Sequence, residues 1–312
     1  MNKQDRIFVA GHAGLVGSAV VRELRRRGYE NLTLRRRAEL DLTHEADVAN
    51  FLAEEKPDIV IDAAAKVGGI FANQSHPADF IRENLLIQSN LIHHSFASGV
   101  TKFVFLGSSC IYPRDARQPI REEALLTGPL ETTNEAYAVA KIAGIQMCQA
   151  YRRQFGFDAI CLMPTNLFGP GDNFDLETSH VLPALLRKCH DAKHAGRPSV
   201  SVWGSGRPLR EFLYVDDLAS AIVFLAESYS DARIINVGTG SDISIADLAV
   251  MIGRVVGFTG DFEFDASKPD GTPRKLLDIS RLRAAGWEAR RDLEEGIRLT
   301  YEWFLNVDRA AD

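Results

Sequence analysis

Three glycines constrain the fold of this chain more than any other feature. Gly11, Gly14 and Gly17 follow the strand-like run Arg6–Ala10 directly and open a segment of helical period that extends from about Val16 to Arg27. The first glycine permits the tight turn from strand to helix, and the next lets the backbone approach a bound group closely. Amides at the start of the helix then face whatever occupies the turn, and their partial positive charge suits phosphate. Three glycines alone are a weak signal. Placed between a strand and a helix, they predict a pyrophosphate-binding turn and so a dinucleotide ligand.

The first half of the chain repeats this alternation. Runs at Asn31–Leu34, Asp58–Ala64, Lys102–Ser109 and Asp158–Met163 read as strands, with helical stretches at Glu45–Lys56, Ala78–Ser98 and Glu135–Phe155 between them. Right-handed strand–helix–strand units of this kind build a parallel sheet with helices on both faces. The expected class is α/β, a doubly wound Rossmann-type sheet over residues 1–170. Beyond Gly169, turns rich in Gly and Pro break the pattern, and helices are expected near Ser179–His194 and Ile245–Val256. Residues 171–312 are read as a smaller α/β substrate lobe, except that about 213–240, with a strand at Ile234–Val237, is expected to rejoin the first sheet.

Composition narrows the class further. With 312 residues, 46% of them hydrophobic, the chain can bury a large core. Its 36 basic and 42 acidic residues leave a net charge of −6, which gives no general attraction to nucleic acid or to an anionic membrane. The start of the sequence has no apolar leader and no stretch is of bilayer length, so a cytoplasmic protein is expected. Cys110, Cys148, Cys161 and Cys189 lie far apart with no Cys-x-x-Cys pair, which argues against structural zinc or a disulfide framework. No metal site is expected, and at least one cysteine is left for chemistry. Asn73-Gln74-Ser75 matches a glycosylation sequon of a kind that is frequent by chance.

After the second strand, NAD-preferring sites place an acidic residue on the ribose hydroxyls, whereas this chain has Arg35-Arg36-Arg37. Guanidinium groups pair with a 2′-phosphate that a carboxylate would repel, so NADP(H) is the expected cofactor. Asp41, a little further on, is the counter-signal, and the choice among the three arginines stays open. Tyr137 and Lys141 project from one helix face about a turn apart. An ammonium beside a phenol stabilises the phenolate, so Lys141 is expected to lower the pKa of Tyr137 and ready it to protonate a carbonyl that receives hydride. Ser108 follows KFVFLG and is expected at the carboxyl edge of the sheet, where its hydroxyl can hold the substrate oxygen; Ser109 is the alternative. In an extended strand, Ser108 and Cys110 would share a side.

Together the glycine turn, Ser108 and the Tyr137/Lys141 pair resemble the extended short-chain dehydrogenase/reductases, the class of nucleotide-sugar epimerases, dehydratases and reductases. Longer stretches resemble its GDP-L-fucose synthase family: AAAKVGGI at Ala63–Ile70, LGSSCIYP at Leu106–Pro113, MPTNLFGPGDNF at Met163–Phe174, WGSGRPLREFL at Trp203–Leu213 and KPDGTPRK at Lys268–Lys275. The resemblance extends over nearly the whole chain. It implies a homodimer that epimerises GDP-4-keto-6-deoxy-D-mannose at C3 and C5 and then reduces C4 with NADPH to give GDP-L-fucose. It also implies that the helices Ala78–Ser98 and Glu135–Phe155 pair across the two-fold axis.

Carried over residue by residue, the resemblance makes Cys110 the base and His180 the acid of epimerisation, beside Ser108, Tyr137 and Lys141. Both C3 and C5 flank the C4 ketone, so one carbonyl acidifies both, and hydrogen bonds from Ser108 and Tyr137 can stabilise the enolate. Cys110 then needs partial thiolate character, supported by nearby positive groups. Cofactor contacts are implied at Gly11, Gly14, Leu15, Val16 and Gly17 in the turn, and at Arg37 and Asp41 after the second strand. Others are implied at Leu106, Gly107, Lys141, His180 and the run Pro164-Thr165-Asn166-Leu167. Substrate contacts are implied at Lys188, Trp203, Arg210, Asp270 and Lys275. His12 departs from the family, which often has a basic residue between the first two glycines. Cys148, Cys161 and Cys189 read as packing residues.

Two other readings compete. A 4-epimerase or 4,6-dehydratase on the same scaffold would recycle a tightly bound NAD, and a dehydratase would be expected to have acidic groups where Cys110 follows Ser108-Ser109. A non-catalytic dinucleotide sensor could lose Tyr137, Lys141, Cys110 and His180 without penalty.

Overall fold

The computed structural model describes residues 1–268 and 270–311, so Pro269 of the KPDGTPRK stretch and Asp312 lie outside the described residues. Its strands are β1 (Ile7–Ala10), β2 (Leu32–Thr33), β3 (Ile59–Asp62), β4 (Lys102–Leu106), β5 (Ala159–Pro164) and β6 (Asn166–Phe168), followed by β7 (Ser199–Trp203), β8 (Leu209–Tyr214), β9 (Ile235–Val237), β10 (Asp242–Ser244), β11 (Asp261–Asp265) and β12 (Arg274–Lys275). The helices are α1 (Leu15–Arg26), α2 (Glu45–Glu55), α3 (Ile70–Ser75), α4 (Pro77–Ala97), α5 (Glu135–Phe155), α6 (Val181–His194), α7 (Val215–Ser228), α8 (Ile245–Val256), α9 (Ser280–Ala284) and α10 (Leu293–Ala311).

Six parallel strands form the main sheet in the order β2-β1-β3-β4-β5-β9. Every residue of β1, β3, β4 and β5 is buried, as a sheet covered on both faces requires. Helices α1 and α7 pack together on one side, and α2, α4 and α5 pack in sequence on the other. The doubly wound class read from the sequence is the fold observed. Strand order reverses between β1 and β3, and the crevice at the carboxyl ends of those strands is where such sheets bind ligands.

The second lobe has a core of its own. Strand β8 is flanked by β10, antiparallel, and β12, parallel, and also pairs with β6, while β7 pairs with β11. On α8, Ile245, Leu248, Ala249, Ile252 and Val256 recur at helical spacing and are buried against Leu186 of α6 and Ile297 of α10. Ser244 caps that helix by accepting from the Asp247 amide at 3.0 Å, and Gly257 ends it at φ +79°. Strand β9, after this lobe has begun, pairs with β5 in the main sheet.

One buried carboxylate joins the two regions. Glu211 on β8 accepts hydrogen bonds from the amides of Thr239 (2.7 Å), Gly240 (2.7 Å) and Leu277 (3.0 Å). Burial pushes its pKa up, and the amides oppose that push. Glu211→Leu would orphan all three amides, each worth about 1–3 kcal/mol when buried unpaired. The expected outcome is a loss of at least about 2 kcal/mol in urea denaturation, and a midpoint unchanged from wild type would contradict it.

Candidate active site

Local sterics fix the glycine turn. A Cβ at Gly17 would stand 2.1 Å from the Gly11 carbonyl oxygen, and Gly11 has φ +75° with Ala63 O only 2.7 Å from its own would-be Cβ. A Cβ at Gly14 would meet nothing nearer than 3.5 Å, so the turn is tight on the protein side and open on the other. Gly14 caps α1 without a side chain, so no side chain competes for the first amides of that helix, where Leu15 and Val16 stand. This cradle fits a dinucleotide pyrophosphate. His12, inside the turn, has a buried Nδ1 without a hydrogen-bond partner among the described residues.

The three arginines after β2 are not equivalent. Arg35 is committed within the fold, 2.5 Å from Glu55 and over the Phe51 ring. Arg36 is exposed, and Arg37, with 71% of its side chain exposed, is held only at 3.4 Å from Asp41 and 3.5 Å from Glu83. Asp41 is itself occupied by the amide and hydroxyl of Thr43, which together with Arg37 hold its pKa low.

At the carboxyl end of β4 the structure corrects the expected strand Lys102–Ser109. The register with β5 ends at Leu106, with one further bond from the Gly107 amide to Leu162 O at 2.9 Å, and Ser109–Ile111 then form a single 3₁₀ turn. Ser108 Oγ accepts from the Cys110 amide at 3.2 Å, a local bond that competes with further extension. Ser108 and Cys110 are therefore linked by a turn rather than by strand alternation. Ser109 is buried.

Tyr137 and Lys141 follow on α5. The Lys141 ammonium donates to Leu106 O at 2.9 Å and lies 4.9 Å from the Phe105 ring centre and 6.0 Å from that of Tyr137. Tyr137 departs from the expectation that Lys141 lowers its pKa. Burial pushes the phenol well above its ordinary value, Cys110 and Asp62 add to this, and the Ser108 hydrogen bond opposes it only in part. The physical reason is that a desolvated phenol resists ionisation more than an ammonium already bound to a carbonyl can offset. Such a phenol stays protonated at neutral pH, as a proton donor must.

Cys110 is the half-buried member of the four cysteines; the other three are buried. Its sulfur accepts hydrogen bonds from Asn134 Nδ2 at 3.2 Å and Lys275 Nζ at 3.5 Å. Lys275 comes from β12 of the second lobe, so the sulfur lies at the junction of the two lobes. The same lysine bears on His180, the residue before α6. The His180 side chain is exposed at the cleft surface, and desolvation by the groups around it, with the Lys275 charge, lowers its pKa. A second close approach sets its position: the Gly69 amide donates to Thr178 O at 3.0 Å, and a Cβ at Gly69 would come within 2.7 Å of Ser179 O.

The remaining second-lobe residues form a strip leading to Cys110. Trp203 is half exposed, with the ammonium groups of Lys188 and Lys268 each 5.2 Å from its ring centre. Lys188 also donates to Ser201 O. Asp270 accepts from the amide (2.7 Å) and hydroxyl (2.8 Å) of Ser205, and its carbonyl accepts from Arg210 at 3.2 Å. Burial lowers the Arg210 pKa, and the nearby charges of Cys110, Asp270 and Glu131 oppose that fall in part. Thr165 and Asn166 both donate to Glu211 O, so their side chains brace the floor next to Pro164 and Leu167. Among the described residues, no cluster of His, Cys, Asp and Glu could hold a metal ion.

Asn134 and Gly69 were not singled out in the sequence. Asn134 could have been found, since a residue three before Tyr137 at the start of a helix lies on the same face. Gly69 left no such signal, because its neighbour Ser179 is far away in the chain.

Comparison with known proteins places this geometry. The sequence model of the NAD dependent epimerase/dehydratase family matches residues 7–238. The chain belongs to that family. It is 59% identical over 304 residues to GDP-L-fucose synthase 1 of Arabidopsis thaliana, covering 97% of this chain and 94% of that one. It is 54% identical over 319 residues to the GDP-L-fucose synthase of Escherichia coli, covering 99% of each. The crystal structure of a GDP-L-fucose synthetase from Naegleria fowleri bound to NADP superposes with a TM-score of 0.90 at 30% identity, covering 99% of this chain and 96% of that one.

For this member of the epimerase/dehydratase family, the site predicts its own thiol chemistry. Under native conditions iodoacetamide should label Cys110 at least about tenfold faster than Cys148, Cys161 or Cys189, because its sulfur is half-buried while theirs are buried. Peptide mass spectrometry over time checks this, and equal labelling of a buried cysteine would contradict it.

Proposed function

We propose that this chain is an NADPH-dependent GDP-L-fucose synthase, converting GDP-4-keto-6-deoxy-D-mannose to GDP-L-fucose by epimerisation at C3 and C5 and reduction at C4. The observation that carries this reading is the sulfur of Cys110, held by Asn134 and Lys275 between Ser108 and the second lobe. A reductase alone needs a proton donor such as Tyr137; it has no use for a thiol presented to the same cleft.

Ser108 and Tyr137 donate hydrogen bonds to the C4 oxygen, which draws charge onto that oxygen when a neighbouring C–H is broken. Cys110, as thiolate, takes the proton from C3 or C5, and His180 returns one from the opposite face, inverting the carbon. Lys275 holds the Cys110 sulfur in place at 3.5 Å, and burial with the Lys275 charge lowers the His180 pKa, which makes a protonated His180 the stronger donor for the return step. When bound, NADPH supplies the hydride that ends at C4. Tyr137 gives its proton to the C4 oxygen, and its raised pKa keeps that proton in place until then. The glycine turn holds the pyrophosphate of the cofactor, and the 2′-phosphate falls to exposed Arg36 and to Arg37, whose side chain is exposed and held at 3.4 Å from Asp41 and 3.5 Å from Glu83. Lys188, Trp203, Arg210 and Asp270 form the strip on which the GDP portion lies, ending at Lys275.

The proposed enzyme is a cytoplasmic homodimer paired through α4 and α5. Val139 (39% exposed) and Phe155 (48% exposed) on α5 are apolar side chains that such a contact would cover. No helix among the described residues is long and apolar enough to cross a membrane.

Variants separate the steps. With the ketosugar in deuterated water, Cys110→Ala should abolish deuterium uptake at C3 and C5. His180→Asn should keep exchange on the Cys110 face but lose inversion. Tyr137→Phe should slow NADPH oxidation by about 10²-fold or more while exchange persists. Wild-type exchange in Cys110→Ala would remove Cys110 as the base.

A further inference from the structure

Asp62 ends β3 with only 1% of its surface exposed, and none of the chemistry above uses it. In the parallel register it lies opposite Phe105 of β4, and residues in register on adjacent strands project to the same face of a sheet. The Phe105 ring packs against Gly144 of α5 and beneath the Lys141 ammonium, so Asp62 also faces the α5 layer. Asp62 Oδ1 accepts from the Ala64 amide at 3.2 Å, and Oδ2 is buried with no hydrogen-bond partner among the described residues. Lys141, 3% exposed, donates to the neutral carbonyl of Leu106. Each member lacks what the other supplies: a buried ammonium held by a carbonyl alone tends to shed its proton, and a buried carboxylate held by one amide tends to take one up.

We propose that Asp62 is a positioning residue that keeps Lys141 protonated beneath Tyr137, the two forming one buried charge pair. This rests on the assignment of Tyr137 and Lys141 to the reduction step. Burial pushes the Asp62 pKa up to about 6 and Lys141 holds it back; burial lowers Lys141 and Asp62 opposes the fall. The other titratable groups facing the pair are Tyr137 and Cys148 on α5, each pushed up in part by Asp62, and Cys161 on β5, hydrogen-bonded to Cys148. From α4 come the neutral amides of Gln88 and Asn84, bound to main-chain carbonyls, while Lys66 pairs with Glu83 at 2.5 Å. The pair matters because a charged Lys141, 6.0 Å from the Tyr137 ring centre, adds to the Ser108 hydrogen bond in stabilising the phenolate left when Tyr137 gives up its proton, which a neutral Lys141 would not do.

Asp62→Asn removes the anion that raises the Lys141 pKa, so Lys141 loses its proton at lower pH, and the alkaline limb of single-turnover hydride transfer moves to lower pH by about one unit or more. Asp62→Glu should restore the limb towards wild type. In the free protein, lysine side-chain NMR, with Lys141 assigned through Lys141→Met, should show the same downward move of its titration in Asp62→Asn. Should Asp62→Asn fail to fold, the converse measurement remains: in Lys141→Met the Asp62 carboxyl should titrate above its wild-type midpoint. Unmoved midpoints in these titrations, or an unmoved alkaline limb in folded Asp62→Asn, overturn the proposal. The NMR arms need no substrate, so coupled titration in a protein inactive on the GDP-sugar would support the charge pair and sink the assigned reaction.

Discussion

The site depends on how Glu211 is satisfied. Its carboxylate takes three amides from the segments after β9 and β12, and its carbonyl takes Thr165 and Asn166 from the end of β5 and the start of β6. A buried carboxylate with this many donors is stable only if all of them arrive, so it fixes the relative positions of four chain segments. Two residues before Leu277 stands Lys275, and one before Glu211 stands Arg210. The second-lobe cations reach the sulfur of Cys110 because the structural carboxylate next to them has brought their strands to the edge of the main sheet.

Around that junction, burial does most of the electrostatic tuning. Burial holds Tyr137 protonated and lowers the pKa of Lys141 and His180 from their ordinary values. None of these shifts needs a specialised partner; each follows from closing a cleft over polar groups. The specific contacts then adjust the balance: Ser108 on Tyr137, Lys275 on His180 and Asp62 on Lys141. The close approach of Gly69 to Ser179 keeps the second lobe near enough for the adjustment to work.

Much of this was legible in the chain because the signals were local. The glycine turn, the run of buried strands and the Tyr137/Lys141 spacing each occupy a few consecutive residues, and the bounds of α5 and α8 agree with the periodicity. What escaped depended on distant contacts. The expected strand Lys102–Ser109 runs on too far, because its pairing with β5 ends at Leu106. Helix α10 was not read, although Ile297, Tyr301 and Phe304 bury at helical spacing, because its charged residues dilute the pattern. Arg35 could not be told from Arg36 and Arg37 until Glu55 and Phe51 claimed it. The pKa of Tyr137 was misjudged because spacing along a helix reports a neighbouring charge and says nothing of desolvation.

The central claim is that one cleft both inverts two carbons and reduces a third. NMR of the nucleotide sugar formed by the wild-type protein from GDP-4-keto-6-deoxy-D-mannose and NADPH in deuterated water tests it most directly. The account requires GDP-L-fucose with deuterium at both C3 and C5. A C4-reduced sugar that retains the substrate's configuration and carries no deuterium at those carbons would contradict it.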